Sequence, residues 1–371
     1  MNLSYWETKT WFSDIDFCIV GSGITGLNCA LDLKTRFQKS KILILERGIL
    51  PNGASTKNAG FACFGSISEI LEDLNSHSEI EVIQLIQKRL KGLKLLRKNL
   101  GDQNIGYKEY GGYELFTNED ATLFEECKSA LPQLNKMLKP IFGDDVFSIQ
   151  KDSFGFKNIQ KKLIFNQFEG QIHTGRMMET LLHKVQKAGI KILNNITVEE
   201  FSETKHSVII KTDKLEFSAN KLLIATNGFS QQLGITEVKP ARAQVVITKP
   251  IKNLEIKGTF HLDKGYYYFR NINDRILFGG GRNLDFKTEE TSKIDQTEII
   301  LQKLEELLKT TILPETNFEI DQRWSGIMGV GKQKNPVVKQ ISENVFCGVR
   351  LGGMGVAIGS LVGKELSELI K

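Results

Sequence analysis

The chain has 371 residues, of which 25% are charged and 40% hydrophobic, a composition that excludes disordered and fibrous proteins. The net charge of +5 is spread over 49 basic and 44 acidic residues, so the sequence does not indicate a nucleic-acid-binding tail. The five cysteines are scattered and never form a CxxC pair, which argues against a disulfide framework, a zinc knuckle or another metal site and favours a reducing compartment.

The first twenty residues, "MNLSYWETKTWFSDIDFCIV", contain acids and aromatic residues. A secretory signal peptide would instead need an apolar core behind basic residues. No apolar run in the chain approaches the length that spans a bilayer. We therefore predict a cytoplasmic protein without a membrane span.

A βαβ unit is predicted at the start of the chain, in "DFCIVGSGITGLNCALDLKTRFQKSKILILE". It consists of a buried strand at 17–20, an amphipathic helix at 24–36 and a second strand at 41–45. A Gly-rich turn joins the first strand to the helix. This arrangement predicts the first half of a nucleotide-binding fold.

The turn carries the GxGxxG motif, with Gly21, Gly23 and Gly26 placed between the strand and the helix. The first glycine allows a tight turn, the second lets the backbone approach a pyrophosphate, and the third lets helix and strand pack closely. Glu46 ends the second strand, where a carboxylate can meet ribose hydroxyls and disfavours a 2′-phosphate. The motif therefore predicts NAD or FAD rather than NADP.

The segment 51–66, "PNGASTKNAGFACFGS", carries mostly small side chains and one charge. A nicotinamide-binding domain would continue at once with regular βα units, whereas this segment leaves the backbone bare. Small residues let the main chain approach a flat ring and present N–H groups to it.

The central part of the chain alternates helices and strands. The pattern predicts a helix over 67–100, a hairpin or two short strands at 107–116, and a second helix from about 118. After the apolar strand "KLLIATNG", the stretch 240–322 is predicted to form antiparallel strands and then, within its last part, a helix at 294–309.

A second bare segment, "GVRLGGMGVAIGS" at 348–360, precedes a final helix predicted at 359–370. Its N–H groups and the helix terminus suit the partly anionic edge of a reduced flavin. The two bare segments and "KLLIATNG" together indicate FAD.

The order of these motifs resembles the D-amino acid oxidase superfamily of FAD enzymes, and is similar to its glycine oxidase, sarcosine oxidase and gamma-glutamylputrescine oxidase branches. The motifs that carry the resemblance include "ERG", "GASTKNAG", "LLIATNG", "KPARAQVVITKP" and "RWSGIMG". The resemblance implies an α/β fold, with a Rossmann-like FAD-binding domain and a substrate domain built on a large antiparallel sheet. The expected FAD-binding domain comprises 1–75, 155–238 and 323–371, and the substrate domain 76–154 and 239–322.

The same resemblance implies which residues hold FAD. The ADP half, the adenine, the ring and its pyrimidine edge would be contacted in turn by Gly21, Ser22, Gly23, Ile24, Gly26, Glu46, Arg47, Val198, Ala225, Thr226, Asn227, Ser55, Asn58, Ala59, Gly60, Gly352, Gly353, Met354 and Gly355. Relatives with covalent flavin use a cysteine in the loop after the position of Gly326. The loop here, "IMGVGKQKNP", has none, so non-covalent FAD is expected.

The reaction that the resemblance implies is dehydrogenation of a CH–NH bond in a small amine or amino acid, with hydride passing to flavin N5 and water hydrolysing the imine. Tyr267 is expected to face the pocket. The carboxylate anchors of amino acid and sarcosine oxidases are replaced by Met328 and Ala357, so Arg350 is the expected substitute unless the substrate lacks a carboxylate. The oxygen-activating lysine of sarcosine oxidase aligns with Leu277, which leaves oxygen or another electron acceptor open.

Two other functions stay open at this point. One is a flavoenzyme that oxidises a glycine-like substituent on modified tRNA, against which the modest net charge argues. The other is an NAD-binding protein that uses no flavin. The five histidines lie in separate segments and are expected to be surface or packing residues.

Overall fold

The computed structural model describes residues 2–371. None of the helices in this range is long and apolar enough to cross a bilayer. The α-helices are α1 (Tyr5–Glu7), α2 (Ile24–Arg36), α3 (Ala54–Lys57), α4 (Ile67–Ser76), α5 (Glu79–Leu100), α6 (Asp102–Ile105), α7 (Ala121–Phe142), α8 (Thr174–Lys187), α9 (Phe286–Glu289), α10 (Glu298–Leu307) and α11 (Gly355–Glu368).

The strands fall into two large sheets and one small one. In chain order they are β1 (Ile15–Val20), β2 (Ile42–Leu45), β3 (Phe61–Ala62), β4 (Gly112–Glu114), β5 (Phe147–Lys151), β6 (Lys162–Asn166), β7 (Gly170–Gln171), β8 (Lys191–Leu193), β9 (Val198–Glu203), β10 (Val208–Thr212), β11 (Glu216–Ile224), β12 (Lys239–Thr248), β13 (Thr259–Leu262), β14 (Tyr267–Ile272), β15 (Arg275–Gly280), β16 (Ile320–Val330), β17 (Val337–Gln340) and β18 (Val345–Val349).

The first sheet has the strand order β17-β18-β11-β1-β2-β8, with the β9-β10 hairpin attached to β11. Strands β18, β11, β1, β2 and β8 run parallel to one another. Parallel strands need crossover connections, and α2 supplies the first of them. Helices α2, α8 and α11 and the second half of α5 share an apolar core with one face of this sheet. The Rossmann-like fold that the sequence predicted is thus confirmed.

The second sheet has the order β16-β12-β15-β14-β13-β4-β6-β5. Every neighbouring pair is antiparallel except β13 and β4, which run parallel. A Phe-rich core lies between this sheet and α10. The large antiparallel sheet was therefore predicted correctly, apart from the one parallel pair.

Two strands of the second sheet lie across the predicted domain boundaries. Strand β6 falls within 155–238, which was assigned to the FAD-binding domain, and β16 spans the boundary at residue 323. Pairing partners far away in sequence decide sheet membership, which local patterns do not show. The division into two domains itself stays a prediction.

The helix predicted over 67–100 is two helices. Both α4 and α5 begin with a capping box, in which Ser66 pairs with Glu69 and Ser78 with Glu81. The second capping box satisfies backbone N–H groups that start a new helix, so the chain turns at His77. The segment 107–116, predicted as a hairpin or two short strands, forms β4, which pairs with distant strands, and an isolated bridge from Lys108 to Gln171.

Candidate active site

A cavity of about 700 Å³ lies at the carboxyl ends of the parallel strands β1, β2 and β11. Strands β12 and β16 of the second sheet also line it, through Val245 and Met328 among others. Ligands of open α/β sheets bind at this edge, and the volume is within the range of roughly 300–1,000 Å³ that ligand pockets have. The cavity is therefore the candidate active site.

The GxGxxG turn forms one end of the cavity. Gly21 has a φ of +105° and donates its N–H to the carbonyl of Leu45 at 2.9 Å. A Cβ on Gly26 would lie 2.0 Å from the carbonyl oxygen of Gly21, so only glycine lets α2 pack this closely on the turn. Gly23 caps α2 without a side-chain hydrogen bond, which leaves N–H groups at the helix terminus.

Glu46 ties the second strand to this turn. One carboxylate oxygen accepts from the N–H and hydroxyl of Ser22 at 3.2 and 2.7 Å, and the other accepts from the N–H of Gly48 at 2.9 Å. The side chain is buried yet lines the cavity. A carboxylate has about four lone-pair sites, so it retains capacity for a ligand hydroxyl.

The bare segment 51–66 folds over α2 and is fixed by its own polar groups. The hydroxyl of Ser55 accepts the N–H of Ile24 at 2.9 Å, and the side-chain oxygen of Asn58 accepts the N–H of Gly60 at 2.9 Å. The indole of Trp324 donates to the carbonyl of Lys57 at 2.9 Å. These bonds hold the backbone of 53–60 against the cavity, which it lines together with Phe61.

The second bare segment meets the first at the same cavity. Cys63 Sγ lies 3.8 Å from Met354 Sδ, and the side-chain oxygen of Asn227 accepts the N–H of Leu351 at 3.0 Å. Gly352 has a φ of +59°, a conformation that favours glycine. Burial raises the pKa of the Cys63 thiol well above its usual value, so this cysteine is an inert packing group rather than a thiolate.

The cavity fits a dinucleotide such as FAD. The hydroxyls of Thr25 and Thr226 line it, are buried and have no partner among residues 2–371. Beside these two hydroxyls, the N-terminus of α2 and the glycines of the turn form a site that suits phosphate groups. Unpaired buried hydroxyls and open helix N–H groups are the features that a bound ligand would satisfy.

Most of the predicted site residues line this cavity. Of the FAD residues, all but Ser22 and Gly26 do so, and those two lie directly behind its wall. Arg350 also lines it, but its guanidinium donates to the carbonyls of Gly331 and Lys334, the first at 3.3 Å. Burial, followed by repulsion from Arg89, lowers the pKa of Arg350 to about 10.

Tyr267 does not face the cavity, which corrects the sequence prediction. Its ring packs in the Phe-rich core, with Phe278 at 6.2 Å between ring centroids. The neighbours Tyr266 and Tyr268 line the cavity instead. Alternate residues of a strand face opposite sides, so the prediction chose the wrong parity.

A buried ion pair that the sequence did not reveal also borders the cavity. His261 Nε2 lies 2.6 Å from Glu169 Oε1, and His261 lines the cavity beside Phe61, with ring centroids 5.3 Å apart. Burial lowers the pKa of His261, but the charge and hydrogen bond of Glu169, with smaller help from Glu69 and Glu114, raise it to about 9. The two partners are 92 residues apart, so no local pattern could have paired them.

We expect this pair to make stability depend on pH. The pKa of His261 is higher in the folded protein than its ordinary value of 6.5, so its contribution is complete below pH 6.5 and is lost as the pH rises through about 9. His261→Asn should lower the unfolding temperature by roughly 2–5 °C near pH 6.5, and the difference should shrink by pH 10. Thermal unfolding measured by circular dichroism from pH 6 to 10 tests this.

The exposed His206 supplies the control, because His206→Asn should leave the unfolding temperature unchanged at every pH. A deficit of His261→Asn that is as large at pH 10 as at pH 6.5 would contradict the assigned protonation.

The positions where the chain departs from the resemblance lie around the cavity. Met328 lines it, and a Cβ on Gly353 would be 3.8 Å from the Met328 sulfur. Ala357 is buried beneath α5, where a Cβ on Gly92 would lie 2.3 Å from its carbonyl oxygen. Leu277 packs in an apolar cluster with Ala59 and Val245. None of the three positions carries a charge.

Comparison with known proteins gives a family match over nearly the whole chain. The profile of the FAD-dependent oxidoreductase family DAO matches residues 16–369. The chain is 22% identical to the probable oxidoreductase OrdL of Haemophilus influenzae, over 97% of this chain and 84% of that protein. It is 23% identical to the gamma-glutamylputrescine oxidoreductase of Escherichia coli, over 96% and 83%.

A solved structure shares the fold. The glycine oxidase from Geobacillus kaustophilus superimposes with a TM-score of 0.75 at 19% sequence identity, covering 96% of this chain and 95% of that one. At this identity the likeness shows the fold.

Proposed function

The chain belongs to the DAO family of FAD-dependent oxidoreductases, and on that premise we propose that it dehydrogenates the CH–NH bond of a small amine or amino acid. The observation that carries the proposal is one cavity that is lined by the GxGxxG turn, by the two bare segments and by the aromatic residues Tyr266 and Tyr268. When bound, FAD supplies the acceptor for the hydride that leaves the substrate carbon, and water hydrolyses the resulting imine.

The proposed cofactor residues divide by what their atoms offer. The helix terminus at Gly23 and Ile24 offers positive potential to a pyrophosphate, and Glu46 offers an acceptor to ribose hydroxyls. Segments 53–60 and 352–355 present backbone rather than side chains to a ring. Segment 327–336, the loop after Gly326, contains no cysteine, so we propose that the flavin is held without a covalent bond.

The substrate side of the cavity is proposed to lie under the aromatic strand. Tyr266 and Tyr268 cover it, and burial raises the pKa of Tyr268 to about 12, so its hydroxyl stays protonated and can donate a hydrogen bond. Phe61 packs edge-on against Tyr268 with ring centroids 5.6 Å apart. These rings exclude water from the reacting carbon.

Arg350 is proposed to position the substrate pocket indirectly. Its two donors to the loop at 331–334 fix the segment that follows β16, and its Nε is buried without a partner among residues 2–371. These bonds use two of its five N–H donors, so the contact that the structure shows for its guanidinium is the loop. Replacing Arg350 should therefore loosen the loop at 331–334 rather than remove a direct substrate contact.

The test is anaerobic reduction of the purified protein. It should carry flavin absorbance in the near-ultraviolet and blue, and at least one compound in a panel of amines, N-methyl amino acids and D-amino acids should bleach it. A colourless protein that FAD cannot reconstitute would contradict the proposal and favour an NAD-binding protein. A coloured protein that no amine bleaches would contradict the proposed reaction.

The same experiment identifies the electron acceptor. Admission of air to the bleached protein restores the absorbance within seconds if oxygen is the acceptor. Slow recovery that an added quinone or dye accelerates indicates a dehydrogenase instead. The apolar Leu277 at the position of the oxygen-activating lysine leads us to propose the dehydrogenase.

A further inference from the structure

Arg89 and Arg350 are buried cations at the cavity that form no ion pair among the described residues. Arg89, on α5, is only 8% exposed, and it lines the cavity. It donates one hydrogen bond, from Nη1 to the carbonyl of Phe64 at 2.7 Å. Within residues 2–371 it forms no ion pair, and none of its nitrogens is both sealed from solvent and unbonded. Four of its five N–H donors therefore have no partner among these residues.

The crossing of two helices explains why Arg89 lies there. Helix α5 packs on the start of α11 at Gly92, whose hypothetical Cβ would lie 3.0 Å from the Cα of Ile358. Arg89 is three residues before Gly92, so both lie on the same helical face, and helical side chains lean toward the N-terminus of their helix. The guanidinium reaches the carbonyl of Phe64 and lines the cavity. The contact between α5 and α11 that buries Ala357 thus also brings the cation Arg89, from α5, to the cavity.

None of the charged groups around Arg89 forms an ion pair with it. The positive charges of Arg350 and Arg89 repel each other. Glu72 lines the cavity as well, without an ion pair to Arg89. Asp73 lies in the same wall, but its carboxylate forms an ion pair with Lys334. Glu69 accepts the N–H of Ser66 at 2.9 Å, in the capping box of α4. A buried guanidinium without a carboxylate is unfavourable, and a bound anion would offset this.

We propose that Arg89 binds the carboxylate of the substrate, and hence that the substrate is an amino acid rather than an amine without a carboxylate. This inference rests on the proposed function. The planar fork of a guanidinium matches both oxygens of a carboxylate, which a single ammonium group does not. Arg89 takes this role because Met328 and Ala357 carry no charge and Arg350 is bonded to the loop at 331–334.

The test is calorimetric titration of the purified holoenzyme with acetate, propionate and benzoate, each paired with its neutral amide. The wild-type protein should bind at least one carboxylate and bind the matching amide much more weakly. Arg89→Met should weaken carboxylate binding roughly 100-fold and leave amide binding unchanged. Arg89→Lys keeps the charge but not the fork, so an intermediate loss is expected.

A matched control lies one residue earlier on the helix. Lys88 is exposed and its nitrogen is 3.8 Å from Glu365, so Lys88→Met should leave carboxylate binding unchanged. If Arg89→Met does not fold, Arg89→Lys and Arg89→Gln decide the question. Equal binding of acid and amide by the wild-type protein, or unchanged carboxylate affinity in folded Arg89 variants, would overturn the proposal.

The calorimetric result is independent of flavin reduction. Failure of carboxylate binding, with flavin that an amine still bleaches, overturns the role of Arg89 alone. Absence of flavin or of bleaching overturns the proposed function, whichever ligands bind.

Discussion

Gly23→Val is expected to yield a protein that retains less than about one-tenth of its FAD after gel filtration. A Cβ on Gly23 would lie 2.8 Å from the Ser55 hydroxyl, which is closer than side-chain contacts allow. That hydroxyl accepts the N–H of Ile24, so displacing it also moves segment 53–60 away from α2. The two further methyl groups of valine would fill the space in front of the helix terminus, where a pyrophosphate would lie.

The flavin-to-protein ratio from absorbance spectra measures the effect, and circular dichroism shows whether the variant is folded. Thr35→Val is the control, because this exposed residue lies on the same helix and has nearly the shape of valine. It should retain FAD at the wild-type ratio. Stoichiometric FAD in a folded Gly23→Val protein would show that the phosphates bind elsewhere.

Gly92→Ala is expected to destabilise the protein, although alanine is the better helix former. Replacing glycine within a helix gains about 1 kcal/mol on average. Here the new Cβ would lie 2.3 Å from the carbonyl oxygen of Ala357 and 3.0 Å from the Cα of Ile358, and backbone atoms cannot rotate away. Overpacking of this kind typically destabilises by about 1–3 kcal/mol, so steric overlap outweighs helix propensity.

We expect the apparent unfolding temperature of Gly92→Ala to fall by several degrees, measured by differential scanning calorimetry. Lys91→Ala is the control, because its side chain is exposed on the same turn and its unfolding temperature should stay within about 1 °C of wild type. A Gly92→Ala protein more stable than wild type would show that α5 and α11 are not in contact at this position.

Local patterns determined the nucleotide-binding part of the molecule. The helix predicted at 24–36 is α2 with the same bounds, because an apolar periodicity and a Gly-rich start are both contained in a few adjacent residues. The acid at the end of β2 and the two bare segments were likewise visible in the sequence, since small residues and glycines act on the backbone that carries them. The family and its cofactor followed from the order of these motifs.

Only the tertiary structure showed which face of β14 each aromatic side chain occupies. Successive rings of 266–269 alternate between two faces of the strand, and a shift of one residue exchanges the faces. The pairing of β14 with β15 places Tyr266 and Tyr268 at the cavity. The wrong choice of Tyr267 arose from this ambiguity.

Two charged residues at the cavity, Arg89 and His261, could not be predicted from the sequence. Arg89 lies in the stretch 67–100, which the sequence predicted only as a helix, and the packing of α5 on α11 brings it to the cavity. His261 meets Glu169 across 92 residues. The backbone conformation of a turn depends on a few adjacent residues, so short motifs predict it. Contacts between distant side chains depend on how helices and strands pack, and only the tertiary structure shows that packing.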